Sequence, residues 1–357
     1  MKRFVLIAIL LGLSAQVYGK PDGPAFKVFQ FPQNGIPRID GDFSDWDMVP
    51  DSYAVGSSEL HDDSGKYSAP CPQTLDVKVK VGWVKGLNRL YFYYEAYDNY
   101  WDFHRHSLKN DTFELVVDGD LSGGPHVASL RPDKETVSQG VYFFSEQNSH
   151  AQNYHVMTPS ENWKSWVMIW GPQRWLRDFP WSNCACSYSF REGEAGILKM
   201  EFYVTVFDYA SPDGPDKSIG SNFFEGKEIG LCWAVIDFDG GESKDGFWNL
   251  SKHHDMYGNA DHERLFVLQP LENRPAPAVQ AAFSVGVEPG TRTARFTDES
   301  TGIITSRLWE FGDGATSTER NPEHTYDGTR NQYTATLTVT GPGGESVLCK
   351  VRDVFVW

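Results

Sequence analysis

Asp118-Gly119-Asp120-Leu121-Ser122-Gly123-Gly124 places two carboxylates and several free carbonyls on one short turn. Such hard oxygens suit a cation of the calcium class, with Asp118 and Asp120 as its ligands. The same string also reads as an ordinary Asp/Gly hairpin turn, and both readings stay open. Asp40, Asp42 and Asp45 would join a cation site there only if the fold brings their turn close. Histidines fall in two groups, His104-Arg105-His106 after the acidic run from Asp98, and His253-His254-Asp255 after Trp248. A metal hydrolase would gather them with Asp102 or Asp255 around one ion. Neither group has the HExxH type of spacing, so hydrogen-bonding and surface roles account for them better.

Trp163, Trp166, Trp170, Trp175 and Trp181 form an unusual aromatic cluster. It reads either as a platform for the apolar faces of a sugar or as a small core fastening a long insertion, with Trp163, Trp166 and Trp170 at helical spacing. Five indoles exceed what one ligand needs, which favours the core reading and leaves one or two as contacts. The five cysteines leave at least one thiol unpaired. Cys71, Cys184 and Cys186 are disulfide candidates for an oxidising compartment, whereas Cys232 and Cys349 lie in apolar strand-like runs and read as buried thiols. Cys184-Ala185-Cys186 is one residue short of redox or zinc spacing. Glycoside hydrolysis needs two carboxylates across a cleft, and no motif singles out such a pair.

The elements that would position these groups are strands. Leu75 to Val81 alternates, Leu90 to Tyr97 is aromatic-rich, Thr112 to Asp118 precedes a Gly-Asp turn, and Ile197 to Phe207 and Ile229 to Phe238 continue the pattern. With no βαβ rhythm, this predicts an all-β protein containing a large antiparallel sandwich. The net charge of −16 disfavours a nucleic-acid partner. Lys2 and Arg3, the apolar run Phe4 to Leu13 and Val17-Tyr18-Gly19 read as a signal peptide over residues 1–19. No later run is apolar for long enough to span a membrane, so a secreted, periplasmic or cell-surface location is expected. Pro270, Pro275 and Pro277 mark a linker over 271–278.

Trp309-Glu310-Phe311-Gly312-Asp313-Gly314, followed by Asn321-Pro322, His324-Thr325-Tyr326 and the alternating run Tyr333 to Thr340, resembles a polycystic kidney disease (PKD) domain over 279–357. That resemblance implies a small immunoglobulin-like sandwich serving as a spacer or ancillary module. Its expected core is Phe283, Phe296, Trp309, Phe311, Tyr326, Leu337 and Val339.

Residues 20–270 carry a second set of landmarks: Ile39-Asp40-Gly41 with Trp46, the strand around Val77 to Val81, Leu90 to Asp98, Asn110-Asp111-Thr112-Phe113-Glu114-Leu115-Val116-Val117-Asp118, and Glu228 to Val235. Together they resemble the family 9 carbohydrate-binding modules, jelly-roll-like sandwiches related to the wider DOMON group. Sugar-binding members hold a terminal glucan residue between two Trp rings and carry structural calcium. The resemblance implies that Asp98 and Glu114 bond sugar hydroxyls and that Trp248 lies near one stacking position. Leu108 stands where the other Trp is usual, and Trp101 is the nearby replacement. The DOMON relationship also allows haem, with Met157, Met168 and Met256 as available ligands, but no signature pairs them and haem is not expected. The expected role is non-catalytic binding of a polysaccharide or glycoconjugate, beside a cell-surface or secreted enzyme. A structural or adhesive role, or membership of a glycoside hydrolase system, is the alternative.

Overall fold

The computed structural model describes residues 23–68, 71–105, 109–124, 147–160, 166–272, 278–288 and 290–356. The expected signal peptide, Trp163, Leu108 and linker residues 273–277 lie outside them. Among the described residues no helix is long and apolar enough to cross a membrane.

The first part of the chain builds eleven main strands: β1 Phe26–Phe31, β2 Leu75–Val84, β3 Arg89–Asp98, β4 Thr112–Asp118, β5 Gln152–Met157, β6 Val167–Ile169, β7 Ser182–Ser187, β8 Gly196–Thr205, β9 Glu228–Asp237, β10 Gly246–Asn249 and β11 Arg264–Leu268. One sheet runs β6-β5-β4-β9-β11-β1, with β10 also on β9, and the other runs β1-β2-β3-β8-β7. The period-two runs all became strands, because each carries one face that must be buried. The sandwich is antiparallel as expected, apart from the pairings of its first strand. β1 pairs parallel with β11 through Phe26 to Val28, then parallel with β2 through Phe29 to Phe31. The first half of this strand thus belongs to one sheet and its second half to the other.

Alternation decides the core. On β3, Phe92 and Tyr94 face inward, and Phe92 stacks on Phe202 of β8 with ring centroids 4.7 Å apart. Tyr91 and Tyr93 point to the other side, where they pack with Phe31, Trp46 and Tyr203 in a separate cluster. The Ile39-Asp40-Gly41…Trp46 landmark closes over Glu201, which lies within that strand framework. Asp40 N and Gly41 N donate to Glu201 Oε1 at 2.9 and 2.8 Å, and Trp46 Nε1 donates to Oε2 at 3.3 Å. Burial pushes the Glu201 carboxyl up to about 7 even though these donors favour its charged form. The motif is therefore a cap on a buried acid.

Among the described residues, Trp166 and Trp170 do not lie on a helix. Val167–Ile169 is a strand, with Trp166 buried before it and Trp170 40% exposed after it. Trp175 and Trp181 meet edge to face at 5.5 Å and both pack on Phe207. All five cysteines are free, which corrects the disulfide expectation; Cys232 is a buried thiol as expected, whereas Cys349 is exposed. Cys349 pairs with Thr336, on the outward face of a sheet whose inner positions are Ala335 and Leu337.

The C-terminal part has five main strands, β12 Phe283–Val287, β13 Thr293–Asp298, β14 Ser306–Glu310, β15 Gln332–Gly341 and β16 Gly344–Phe355. They form two small sheets, β12-β13 extended by Glu323–Thr325, and β14-β15-β16 extended by Thr316–Ser317. All seven expected core residues belong to its buried cluster. Trp309 is packed against Phe283 and Phe296, and its Nε1 donates to Glu319 O at 2.9 Å. The Gly-Asp-Gly turn requires glycine twice, at φ 87° for Gly312 and 98° for Gly314. A Cβ on Gly312 would stand 2.3 Å from Thr334 O. Asp313 Oδ2 lies 2.7 Å from His324 Nε2, His324 stacks on Phe311, and Tyr326 OH donates to Phe311 O at 3.1 Å. The His and Tyr of the second motif thus close the hairpin made by the first.

Candidate functional site

Register between β4, β5, β9 and β10 decides which side chains share a face. Glu114 lies opposite His155 on β5 and Ala234 on β9, and Ala234 in turn lies opposite Asn249 on β10. Ile236 lies opposite Phe247. Of these, Glu114, His155, Ile236 and Phe247 lie on the side of the sheet turned away from Phe113, Leu115 and Trp233, and there they floor an open cleft of about 340 Å³. That volume falls within the range of roughly 300–1,000 Å³ typical of small-molecule sites.

The walls come from loops. Trp170 follows β6, Phe238 and Lys244 lie on the hairpin between β9 and β10, and His254 and Tyr257 lie on a short 3-10 turn, His254–Tyr257. Trp170 packs on His155, with centroids 5.6 Å apart. Phe247 receives His254 edge-on at 5.2 Å and the Lys244 ammonium at 4.1 Å from its centroid. Burial lowers the Lys244 pKa, while Glu114, Asp63 and Asp62 act the other way. His254 Nδ1 lies 3.1 Å from Asp63 Oδ2, which also accepts from Asn249 Nδ2 at 2.7 Å.

Glu114 is the one carboxylate among the described residues lining the cleft. Burial alone would raise its pKa, but His155 and Asn153 more than offset this and hold it below the usual value. His155 Nε2 lies 3.2 Å away, and Asn153 Nδ2 donates at 2.9 Å, both to Oε1. A charged carboxylate with Oε2 still available can accept from a hydroxyl.

Of the four residues expected at a sugar site, Glu114 alone lines this cleft. Trp248 is paired with Val235, one residue out of phase with the Glu114 face, so its ring turns to the sandwich interior. There it is 3% exposed, stacks on Tyr67 at 5.7 Å and donates from Nε1 to Asp237 Oδ2 at 3.5 Å. One step of strand register moves a side chain to the other face. Trp101 is also in the core, parallel to Phe190 at 4.9 Å, with its Nε1 donating to Gly196 O at 3.0 Å. Asp98 ends β3, is 2% exposed, and stands with Asp237 and Asp239 instead. Sequence reasoning missed Phe238, Lys244, Phe247, Tyr257 and His155 as partners of Glu114. The one available signal was aromatic residues beside Asp/Gly-rich turns.

The two acidic groups differ in how their oxygens are used. Asp118 Oδ1 accepts from Asp120 N and Ser122 N at 3.3 and 3.4 Å, and Oδ2 accepts from Gly123 N at 2.9 Å. Asp120 Oδ1 accepts from Ser122 N at 3.1 Å. The amides of the turn thus donate to both carboxylates. Among the described residues, the carboxylates that converge are Asp98, Asp237 and Asp239. The histidine groups have local partners: His104 with Glu192 at 3.6 Å, His262 with Asp255 at 2.7 Å, and His253 stacked on His262 at 4.1 Å.

Known proteins resemble the two parts separately. The structure is similar to a family 9 carbohydrate-binding module from Caldicellulosiruptor kristjanssonii in complex with glucose, at 14% identity and a TM-score of 0.45, over 71% of this chain and 100% of that one. It is also similar to the PKD1 domain of the Vibrio cholerae metalloprotease PrtV, at 33% identity and a TM-score of 0.19, over 21% of this chain and 93% of that one. In sequence, 49 residues are 49% identical to collagenase ColA of Bacillus cereus; they make up 14% of this chain and 5% of that relative, so the chain spans a small fraction of its length. Residues 274–356 match the family model of the PKD domain, and the C-terminal sandwich is a PKD domain.

Proposed function

We propose that this chain is an exported, non-catalytic carbohydrate-binding protein whose cleft holds one saccharide unit of a polysaccharide or glycoconjugate, with the PKD domain as a spacer. The observation that carries this reading is the composition of the cleft. Trp170, Phe238, Phe247 and Tyr257 offer apolar surface, while Glu114, Lys244 and His254 stand at its polar edge. A pyranose has this same division, with C–H faces that stack on rings and hydroxyls that need oriented partners. Glycoside hydrolysis would need a second carboxylate facing Glu114 across the cleft, so binding fits the geometry better. Export rests on the basic, then apolar, N-terminal residues. A polysaccharide-degrading enzyme acting beside it is the partner this role implies.

Calorimetric titration of the full chain with glucose and cellotriose, followed by an array of plant, algal and bacterial glycans, tests the reading. A hit should weaken in Tyr257→Ala, since Tyr257 is a half-exposed wall residue. Absence of binding across the array would overturn the carbohydrate reading.

A further inference from the structure

The charges that line the cleft are not equally matched. Glu114 Oε1 meets His155 and Asn153, and His254 Nδ1 meets Asp63. Lys244 differs. Among the described residues its ammonium forms no ion pair and lies instead over the ring of Phe247, 4.1 Å from the centroid. The carboxylates that attract it from a distance are Glu114, Asp63 and Asp62, and Glu114 lies beyond ion-pair reach. Asp62 is committed elsewhere: Oδ1 accepts from Ser64 N and Phe247 N at 2.9 and 3.2 Å, and Oδ2 from Ser64 Oγ, Lys66 N and Tyr67 N at 2.6, 2.8 and 3.0 Å. Asp63 serves His61, His254 and Asn249. Lys66 adds positive potential at the same end, its Nζ donating to Lys244 O at 2.7 Å.

An ammonium partly withdrawn from water without a counterion is unfavourable, and burial accordingly lowers the Lys244 pKa. An anion carried in by a ligand would supply the missing partner, and aromatic walls that exclude water strengthen such a pair. The net charge of −16 opposes an anion from afar. Salt confines that repulsion to about 8 Å at physiological ionic strength, so the local pairing decides.

We propose that the sugar unit held in the cleft is anionic, with a carboxylate or sulfate ester on Lys244, its ring on the aromatic walls and a hydroxyl on Glu114 Oε2. This deepens the carbohydrate reading above and rests on it. A Lys ammonium is a point charge with rotatable donors and accepts either anion. Glu114 repels an anion at its own end, so the two charges give the ring one orientation.

Calorimetric titration of the full chain with paired ligands tests this. The pairs are oligogalacturonate and its methyl ester, C6-oxidised cellotriose and cellotriose, and a sulfated carrageenan oligosaccharide and its desulfated form. At least one acidic member should bind wild type about tenfold or more tightly than its neutral partner, and the pair that responds separates carboxylate from sulfate. Lys244→Met keeps an apolar stem over Phe247 but removes the charge, so for that pair the ratio of affinities should fall to within about twofold of one. Lys244→Arg should keep the preference for the acidic member. Neutral members binding as tightly as their acidic partners, or a preference undiminished in Lys244→Met, would overturn the inference and leave the carbohydrate reading standing. Silence of every pair would overturn it as well, and the glycan array then decides the carbohydrate reading separately.

Discussion

Replacing Trp170 and Trp248 by alanine should separate two roles that look alike in sequence. Trp170 is 40% exposed at the cleft, so its truncation opens no interior cavity, and stability should change by about 0.5 kcal/mol or less. A sugar face stacked on that indole would remove roughly 60 Å² of apolar surface from water. At ~25 cal/mol per Å², this contributes about 1.5 kcal/mol, or roughly a tenfold change in Kd. Trp248 is enclosed by Tyr67 and the strand layer, so its removal should cost about 3–5 kcal/mol of stability. The affinity of the protein that remains folded should then be unchanged. Calorimetry against the best glycan, run well below each variant's melting temperature, gives both numbers for both proteins. If Trp248→Ala lost affinity while Trp170→Ala kept it, the register argument placing these rings on opposite faces would be refuted.

Glu114→Gln should weaken glycan binding about tenfold or more, because a bond to a charged acceptor is worth ~1.5–3 kcal/mol, and calorimetry at neutral pH measures it. In the PKD domain, Trp309→Ala should cost about 3–5 kcal/mol, read as an earlier denaturation midpoint for that domain. Asp298 is buried, which would raise its pKa, but bonds from Ser300 and from Arg307 at 2.5 Å hold it below 3.8. Its contribution is therefore full above the ordinary carboxylate value and is lost as pH falls through the lower native value. Asp298→Asn should reduce PKD stability near pH 7 and flatten its loss as pH falls below the ordinary carboxylate range, measured by denaturation at each pH.

Strands were legible because burial of one face writes a period of two into the chain, as in Leu75 to Val81 and Tyr333 to Thr340. The PKD hairpin was legible because Gly312 and Gly314 mark positive φ locally. Face assignment across strands was not. Whether Trp248 or Phe247 faces the Glu114 side depends on the offset between β9 and β10, which hydrogen bonding sets and no single segment encodes. Trp170 reaches the cleft from a loop far in sequence from those of Lys244 and His254, so only tertiary folding relates it to them. Asp237 and Asp239 were hidden for a different reason: an acid ending an apolar strand looks like a turn signal until Asp98 is seen beside it.

The shared first strand has a mechanical consequence. β11, the last strand before the linker, is held antiparallel by β9 and parallel by β1. A pull on the chain beyond Leu268, directed along the strand, would load both ladders in shear, so their bonds must yield together instead of unzipping singly. Force entering from the PKD side therefore meets the sandwich at a strand clamped on both edges, and one clamp, β1, is itself tied into the second sheet. Such a load would be spread over both layers, leaving the cleft on β4, β5, β9 and β10 to hold its shape.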